Sequence, residues 1–247
     1  MKNYKLCVVG AGSWGKNHIR TLDKLGSLGG VVDLETLALV KIKKEYPECL
    51  TFFSLDESFK YNFDAYIIAT PPSSHYALAK KVIEKKKHLL VEKPITLKLS
   101  EAEELNKLAK KNSVSLMVGH LLLFHPAFIK IKKTLDEGKV GDIQYVYSNR
   151  LNLGSFRNYE NVLWSFAPHD ISLFNYFFEG LPISVSSSGI DILQKGVHDT
   201  SITSFVYGGN RMGHIFVSWL HPFKEHRFVI VGTKGMLHFE DAKKTKK

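Results

Sequence analysis

The stretch that decides the fold is Leu6-Cys7-Val8-Val9-Gly10-Ala11-Gly12-Ser13-Trp14-Gly15. Residues 5–9 read as a short apolar strand, Gly10 to Gly15 as a GxGxxG turn, and the segment to about residue 25 as a helix. Each glycine has its own reason. Gly10 permits the tight turn, Gly12 lets a pyrophosphate approach the backbone, and Gly15 lets helix and strand pack closely. The helix N-terminus attracts the anion. Asp33 closes the second strand, 18 residues after Gly15. A carboxylate there bonds the ribose hydroxyls and repels a 2′-phosphate, so the pattern predicts a Rossmann-type domain holding NAD in preference to NADP.

Working outward, residues 30–32 read as a second strand, with a helix following to about residue 46. Asp64-Ala65-Tyr66-Ile67-Ile68-Ala69 is a strand ended by Thr70-Pro71-Pro72, and 74–86 is a helix. Residues 88–91 form the next strand, ended by Glu92-Lys93-Pro94. Ser100-Glu101-Ala102-Glu103 reads as a capping box opening a helix to about residue 111, with a strand over 114–118. Such alternation predicts a parallel sheet covered by helices. Beyond His120 the pattern changes. A helix over about 126–137 ends at Gly138, 142–150 alternates as a strand, and a helix near 169–178 stops at Gly180. Strands without helices follow at roughly 183–190, 200–207, 212–220, 225–231 and 236–239. Gly208-Gly209-Asn210 and Gly232-Thr233-Lys234-Gly235 mark hairpins.

The expected fold class is therefore α/β. A Rossmann domain with a parallel sheet spans 1–120. An α+β domain with a largely antiparallel, open-faced sheet spans 121–247 and serves substrate binding and oligomerisation. A ligand cleft is expected where two such domains meet. Ile202, Phe205 and Tyr207, then Ile215, Val217 and Trp219, then Phe228, Ile230 and Val231, read as apolar on both faces of that sheet. They predict a homo-oligomer, a dimer or tetramer, joined sheet to sheet.

The chain has 247 residues, 44% of them apolar and 23% charged, and no apolar run approaches the roughly 20 residues needed to span a bilayer. Met1-Lys2-Asn3-Tyr4-Lys5 leads straight into a strand without a signal-peptide stretch, so a cytoplasmic protein without a membrane partner is expected. Cys7 and Cys49 form no CxxC pair, and the eleven histidines are scattered, so no metal is called for. The net charge of +10 is dispersed. Lys243, Lys244, Lys246 and Lys247 crowd the tail, and Lys80, Lys81, Lys85, Lys86 and Lys87 read as the solvated face and end of one helix. No nucleic-acid-binding signature accompanies the charge, so no nucleic-acid partner is expected. A basic surface suits an anionic nucleotide ligand.

Turns at the carboxyl ends of parallel strands line a cofactor crevice. Thr70, Pro71, Pro72 and His75 occupy one such turn, Glu92 another, and Ser13 and Trp14 lie in the glycine turn; all are expected to contact the cofactor. Lys93 at a strand end can donate to a substrate oxygen and favour its alkoxide. His169 follows Pro168 at a helix start, where the positive helix end favours the neutral base form. His120 and Arg150 are read as ending strands that face the cleft, where the arginine can hold a diphosphate. His125 and Arg157 are weaker candidates.

GAGSWG at 10–15, then Thr70-Pro71-Pro72, Glu92-Lys93-Pro94 and Met117-Val118-Gly119-His120 together resemble the Gfo/Idh/MocA oxidoreductases, NAD(P)-dependent enzymes acting on sugars, inositols and sugar nucleotides. The resemblance covers nearly the whole chain and implies that Lys93 is catalytic. It also implies that His169 is the general acid or base of a cleft helix. The family's partner aspartate, four residues earlier, is Ser165 here, with Asp170 or a water left to take its place. His120, Arg150 and Asp170 are the expected substrate contacts. Gly12-Ser13-Trp14-Gly15-Lys16-Asn17-His18, Trp164-Ser165-Phe166-Ala167-Pro168-His169-Asp170 and Ser218-Trp219-Leu220-His221-Pro222 are most similar to members that process nucleotide sugars for surface polysaccharides or lipid A. That implies UDP-N-acetylglucosamine as substrate, oxidised at carbon 3 for a partner aminotransferase. Family members run longer, so closing strands of the second sheet are expected to be absent. Two other readings stay open: a non-catalytic NAD-binding regulatory or interaction protein, and an inositol or free-sugar dehydrogenase.

Overall fold

Apolar runs too short to bury themselves alone pair edge to edge in the first part of the chain. In the computed structural model, which describes residues 4–154 and 160–241, they form a six-stranded sheet. Arg157 and the lysine tail lie outside the described residues. Cα packing divides the chain into two units, residues 1–119 and 120–247.

In the first unit the elements run β1 (Leu6–Val9), α1 (Ser13–Lys24), β2 (Leu28–Val32), α2 (Thr36–Glu45), β3 (Leu50–Phe52), α3 (Leu55–Ser58), β4 (Ala65–Ile68), α4 (Pro72–Glu84), β5 (His88–Val91), α5 (Leu99–Lys111) and β6 (Leu116–Val118). The strands are all parallel, in the order β3-β2-β1-β4-β5-β6. The order reverses between β1 and β4, which places their carboxyl-end turns on either side of a topological switch point. Helices pack both faces. Ile19 and Leu22 of α1 join Val8 and Val31 in one core, and Ala79, Val82 and Ile83 of α4 join Tyr66, Ile68 and Leu105 in the other. Each fully buried aliphatic side chain contributes about 1.5–3 kcal/mol.

Two local features differ from expectation. Ser100 does not cap α5: the helix begins at Leu99, the extended residue before it is Lys98, and no side chain caps it. Thr96 Oγ1 donates to Lys98 O at 2.7 Å, which sets the earlier start. A side-chain cap sits instead at α3, where Ser54 Oγ accepts from Glu57 N–H (3.2 Å) and Glu57 Oε2 accepts from the N–H of Phe53, one residue before the cap (3.2 Å).

The second unit runs from a 3-10 turn (Leu121–Phe124) through α6 (Pro126–Asp136), β7 (Ile143–Leu153), α7 (Val162–Phe166), α8 (Pro168–Phe178), β8 (Ser184–Ile190), β9 (Thr200–Tyr207), β10 (Arg211–Ser218), β11 (Leu220–Gly232) and β12 (Met236–Glu240). Its sheet has the order β12-β11-β7-β10-β9-β8; only the β7–β10 pair is parallel. The turn that ends α8 falls on Glu179 (φ 55°), not on Gly180.

The apolar strand residues fall on both faces of the sheet, most of those expected lying on the covered one. Phe205, Tyr207, Ile215, Val217, Trp219, Phe228 and Ile230 all lie in the core beneath the helices, packed on Phe128, Phe174 and Phe177. Of the residues expected to face outward, Ile202 does so, at 49% exposed. Period-2 alternation predicts this; β9 buries 201, 203, 205 and 207 and exposes 202 and 206. The other face carries Ile202, Val206 and Met212 with half-buried Phe216, Tyr145 and Tyr147. There Tyr147 stacks on His214 at 5.4 Å, and Tyr145 Oη and His214 Nδ1 share a hydrogen bond. Among the described residues, no helix is long and apolar enough to cross a membrane.

Candidate functional site

At the end of β1 the chain turns with Gly10 at φ +97°, where a Cβ would lie 2.8 Å from Ala69 O. A Cβ on Gly15 would lie 1.8 Å from Gly10 O, so only glycine lets α1 pack on this turn. Around Gly12 a Cβ would meet nothing within 4 Å. Gly12 is also the N-cap of α1, with no capping side chain and no acidic residue in the first turn. The open space and the helix amides form an anion cradle that a side chain would fill. Beside it, Asp33 Oδ2 accepts from Ala11 N–H (2.6 Å) and Oδ1 from Glu35 N–H (2.9 Å). A carboxylate accepts about four hydrogen bonds, so acceptor sites remain for sugar hydroxyls.

These groups border an open cavity of about 550 Å³ lined by Gly10, Gly12, Asp33, Leu34, Thr70 and Pro71, among others. Its polar rim and apolar flank fit a dinucleotide. Ser13 and half-exposed Trp14 begin α1, and Pro72 begins α4; none of the three lines this cavity. His75 is placed differently from expectation. It is fully buried, with Nδ1 2.8 Å from Pro94 O and Nε2 2.8 Å from Thr70 O, so it braces the cofactor turn from behind.

Lys93 follows β5, half-buried, in the turn Glu92-Lys93-Pro94. Glu92 is 8% exposed. Its Oε1 pairs with His18 Nε2 at 2.7 Å, and its Oε2 accepts from Lys93 N–H at 3.2 Å. A Cβ on Gly119 would lie 2.9 Å from this carboxylate, so Gly119 makes room for it. His18 was not among the sequence candidates. Its signal is position: three residues after Gly15 on α1, it lies on the helix face that meets the strand ends.

In the second unit, the His120 and His169 rings lie 6.3 Å apart, edge to face. His169 is the second residue of α8, and Ser165 is buried in α7. Arg150 and Asp170, both expected at the substrate, pair with each other. Arg150 does not end its strand, since β7 continues to Leu153. Its Nε and Nη2 donate to Asp170 Oδ2 (2.7 Å) and Oδ1 (3.2 Å), and Ser148 Oγ donates to Oδ1 (2.7 Å). Burial opposes the charge on Arg150, but the Asp170 charge and hydrogen bonds outweigh it and raise its pKa. Asp170 is 2% exposed, and its carboxylate accepts from Arg150 and Ser148. Ser148, also unforeseen, follows from alternation with Val146 on the covered face of β7. His125 caps α6, its Nδ1 accepting from Ala127 N–H. Among the described residues no group of three or more His, Cys, Asp or Glu is placed to hold a metal.

A glycine-turned β1–α1 unit, a carboxylate at the end of β2 and a switch-point cavity define a dinucleotide-binding protein. The chain belongs to the Gfo/Idh/MocA oxidoreductase family: residues 4–120 match its NAD-binding Rossmann domain and residues 128–238 a family C-terminal domain. It is 29% identical over 184 residues to UDP-N-acetylglucosamine 3-dehydrogenase of Acidithiobacillus ferrooxidans, covering 74% of this chain and 57% of the relative. It is 27% identical over 185 residues to scyllo-inositol 2-dehydrogenase (NAD(+)) of Bacillus subtilis, covering 70% and 54%. The matched part of the chain thus spans a little over half the length of each. Among solved structures, the WlbA dehydrogenase of Bordetella pertussis in complex with NADH and UDP-GlcNAcA superposes with a TM-score of 0.88. Its sequence identity is 23%, and the match covers 96% of this chain and 74% of that one.

Proposed function

We propose that this protein transfers a hydride between NAD and a ring hydroxyl or ketone of a sugar in the cytoplasm, with a nucleotide sugar of the UDP-N-acetylglucosamine type as substrate. The observation that carries the reading is the cradle at Gly10, Gly12 and Gly15 with Asp33 beside it, at the carboxyl edge of the same sheet whose β5 runs into the Glu92-Lys93-Pro94 turn. When bound, NAD supplies the hydride acceptor. The chain's own groups position and move protons. Lys93 steadies the developing oxyanion, and His169 takes the hydroxyl proton in the oxidative direction. Glu92 holds the Lys93 backbone, and His120, next to His169, contacts the sugar. A partner aminotransferase would consume the keto product. Ser165, where the family has an aspartate, favours a second reading in which the chain binds NAD without turnover. The two readings separate on turnover with sugars when cofactor binding is intact.

Calorimetric titration tests the cofactor assignment. NAD is expected to bind more tightly than NADP, and Asp33→Ala is expected to narrow the gap, because the carboxylate that repels a 2′-phosphate is gone. Tighter binding of NADP by the wild-type protein would contradict the assignment.

The proposal extends to assembly. The uncovered sheet face with Ile202, Val206, Met212 and Phe216 is an apolar surface suited to a second copy. Light scattering is expected to show at least a dimer, and a clean monomer at high micromolar concentration would refute the pairing.

A further inference from the structure

The carboxyl ends of β4 and β5 carry the two segments the proposed chemistry needs: Thr70-Pro71 beside the cofactor cavity, and Lys93 ahead of Pro94. One side chain touches both. His75 projects from α4, whose Ala79, Val82 and Ile83 are buried in the core and fix the helix. Its ring contacts Thr70 O and Pro94 O at 2.8 Å each. Carbonyl oxygens only accept, so each contact needs a ring N–H; the neutral imidazole donates to one carbonyl at a time, and only the imidazolium donates to both.

The surrounding bonds stiffen both turns. Thr70 Oγ1 and Ser74 Oγ lie 2.7 Å apart, and Ser74 Oγ donates to Pro71 O at 2.8 Å. On the other side Glu92 holds Lys93 N–H. The Lys93 segment is therefore gripped before and after the lysine, by Glu92 at its amide and by His75 at the next carbonyl. A site that needed only volume would take an apolar side chain, which fills the core without desolvating two nitrogens.

We infer that His75 is a positioning residue, locking the cofactor turn to the Lys93 turn so that NAD and the lysine keep a fixed register. The inference rests on the reading of Lys93 as a reacting group. Direct contact between His75 and ligand is not involved, since the side chain has no exposed surface.

The test uses the full chain with His75→Phe, which fills the volume without donors, and His75→Gln, which restores a donor. Three quantities are measured: thermal midpoint, NADH affinity by fluorescence titration, and the rate at which an amine-acylating reagent labels Lys93, read by peptide mass spectrometry against exposed Lys41 and Lys60. His75→Phe is expected to weaken NADH binding about tenfold, the equivalent of one net hydrogen bond. It is also expected to change Lys93 labelling several-fold while Lys41 and Lys60 keep their rates, with His75→Gln between Phe and wild type on both readouts. A folded His75→Phe protein with wild-type NADH affinity and Lys93 labelling would overturn the inference. So would failure of both variants to fold, which would make His75 a folding residue only. If the wild-type protein does not bind NADH, the functional reading fails separately, and Lys93 labelling still decides whether His75 holds the turn.

Discussion

Lys93→Ala is expected to lower turnover at least about a hundredfold on whichever sugar proves to be the substrate, the lower end of what a positioned proton-transfer or oxyanion group contributes. NADH affinity and thermal stability should stay near wild type, because the bond from the Lys93 backbone N–H to Glu92 survives the substitution. His169→Ala should behave alike, with a comparable fall in turnover and little loss of fold. The double variant should fall by less than the product of the two effects, since residues acting on one proton inventory are not additive. Steady-state kinetics with matched melting curves reads all of this. Wild-type turnover by either single variant would remove that residue from the chemistry.

Asp170→Ala is expected to destabilise the second unit by about 3–5 kcal/mol, the effect of leaving one buried partner of an ion pair uncompensated. Asp170 is 2% exposed and receives Arg150 Nε, Arg150 Nη2 and Ser148 Oγ. The Arg150 side chain keeps 19% exposure, so water reaches part of it and the lower half of that range is the expectation. Urea unfolding measures the loss. Replacing both partners together, Arg150→Met with Asp170→Leu, should recover much of it, because neither charge is then stranded. A single-variant loss under about 1 kcal/mol would mean that the pair contributes no more than a surface contact. Because Asp170 adjoins His169 in the first turn of α8, the same substitution should disturb His169 and depress turnover even in molecules that remain folded.

Most of the architecture was legible because its signals are local. GxGxxG between an apolar run and an amphipathic helix can be read from ten residues, and the proline-ended turns at Thr70 and Glu92 mark two further strand ends. The losses have physical causes. β3 is three residues long and shows no period, and α3 is a single turn capped by Ser54. Arg150 was misplaced because polar residues near the end of β7 look like a loop, although pairing with β11 carries the strand on to Leu153. Of the strand residues read as covering both faces, Phe205, Tyr207, Ile215, Val217 and Trp219 go under the helices, while Ile202 lies on the outer face with Val206 and Met212, because alternation sends every second residue inward. At the site, the sequence marks Lys93, Glu92 and His75 as neighbours of strand ends. It does not disclose which of them faces solvent and which is sealed behind, because burial depends on how α4 packs. The His18–Glu92 pair spans 74 positions and is visible only in the fold.

Hydride transfer to NAD from a sugar ring leaves a spectroscopic product. The direct measurement is NADH formation by the full chain with NAD and a panel holding UDP-N-acetylglucosamine, related nucleotide sugars, inositols and free hexoses, run beside Lys93→Ala. NADH is expected to appear with a nucleotide sugar and to be lost in the variant. No NADH with any member of the panel, from protein that still binds NADH, would contradict the account and leave a nucleotide-binding protein without turnover.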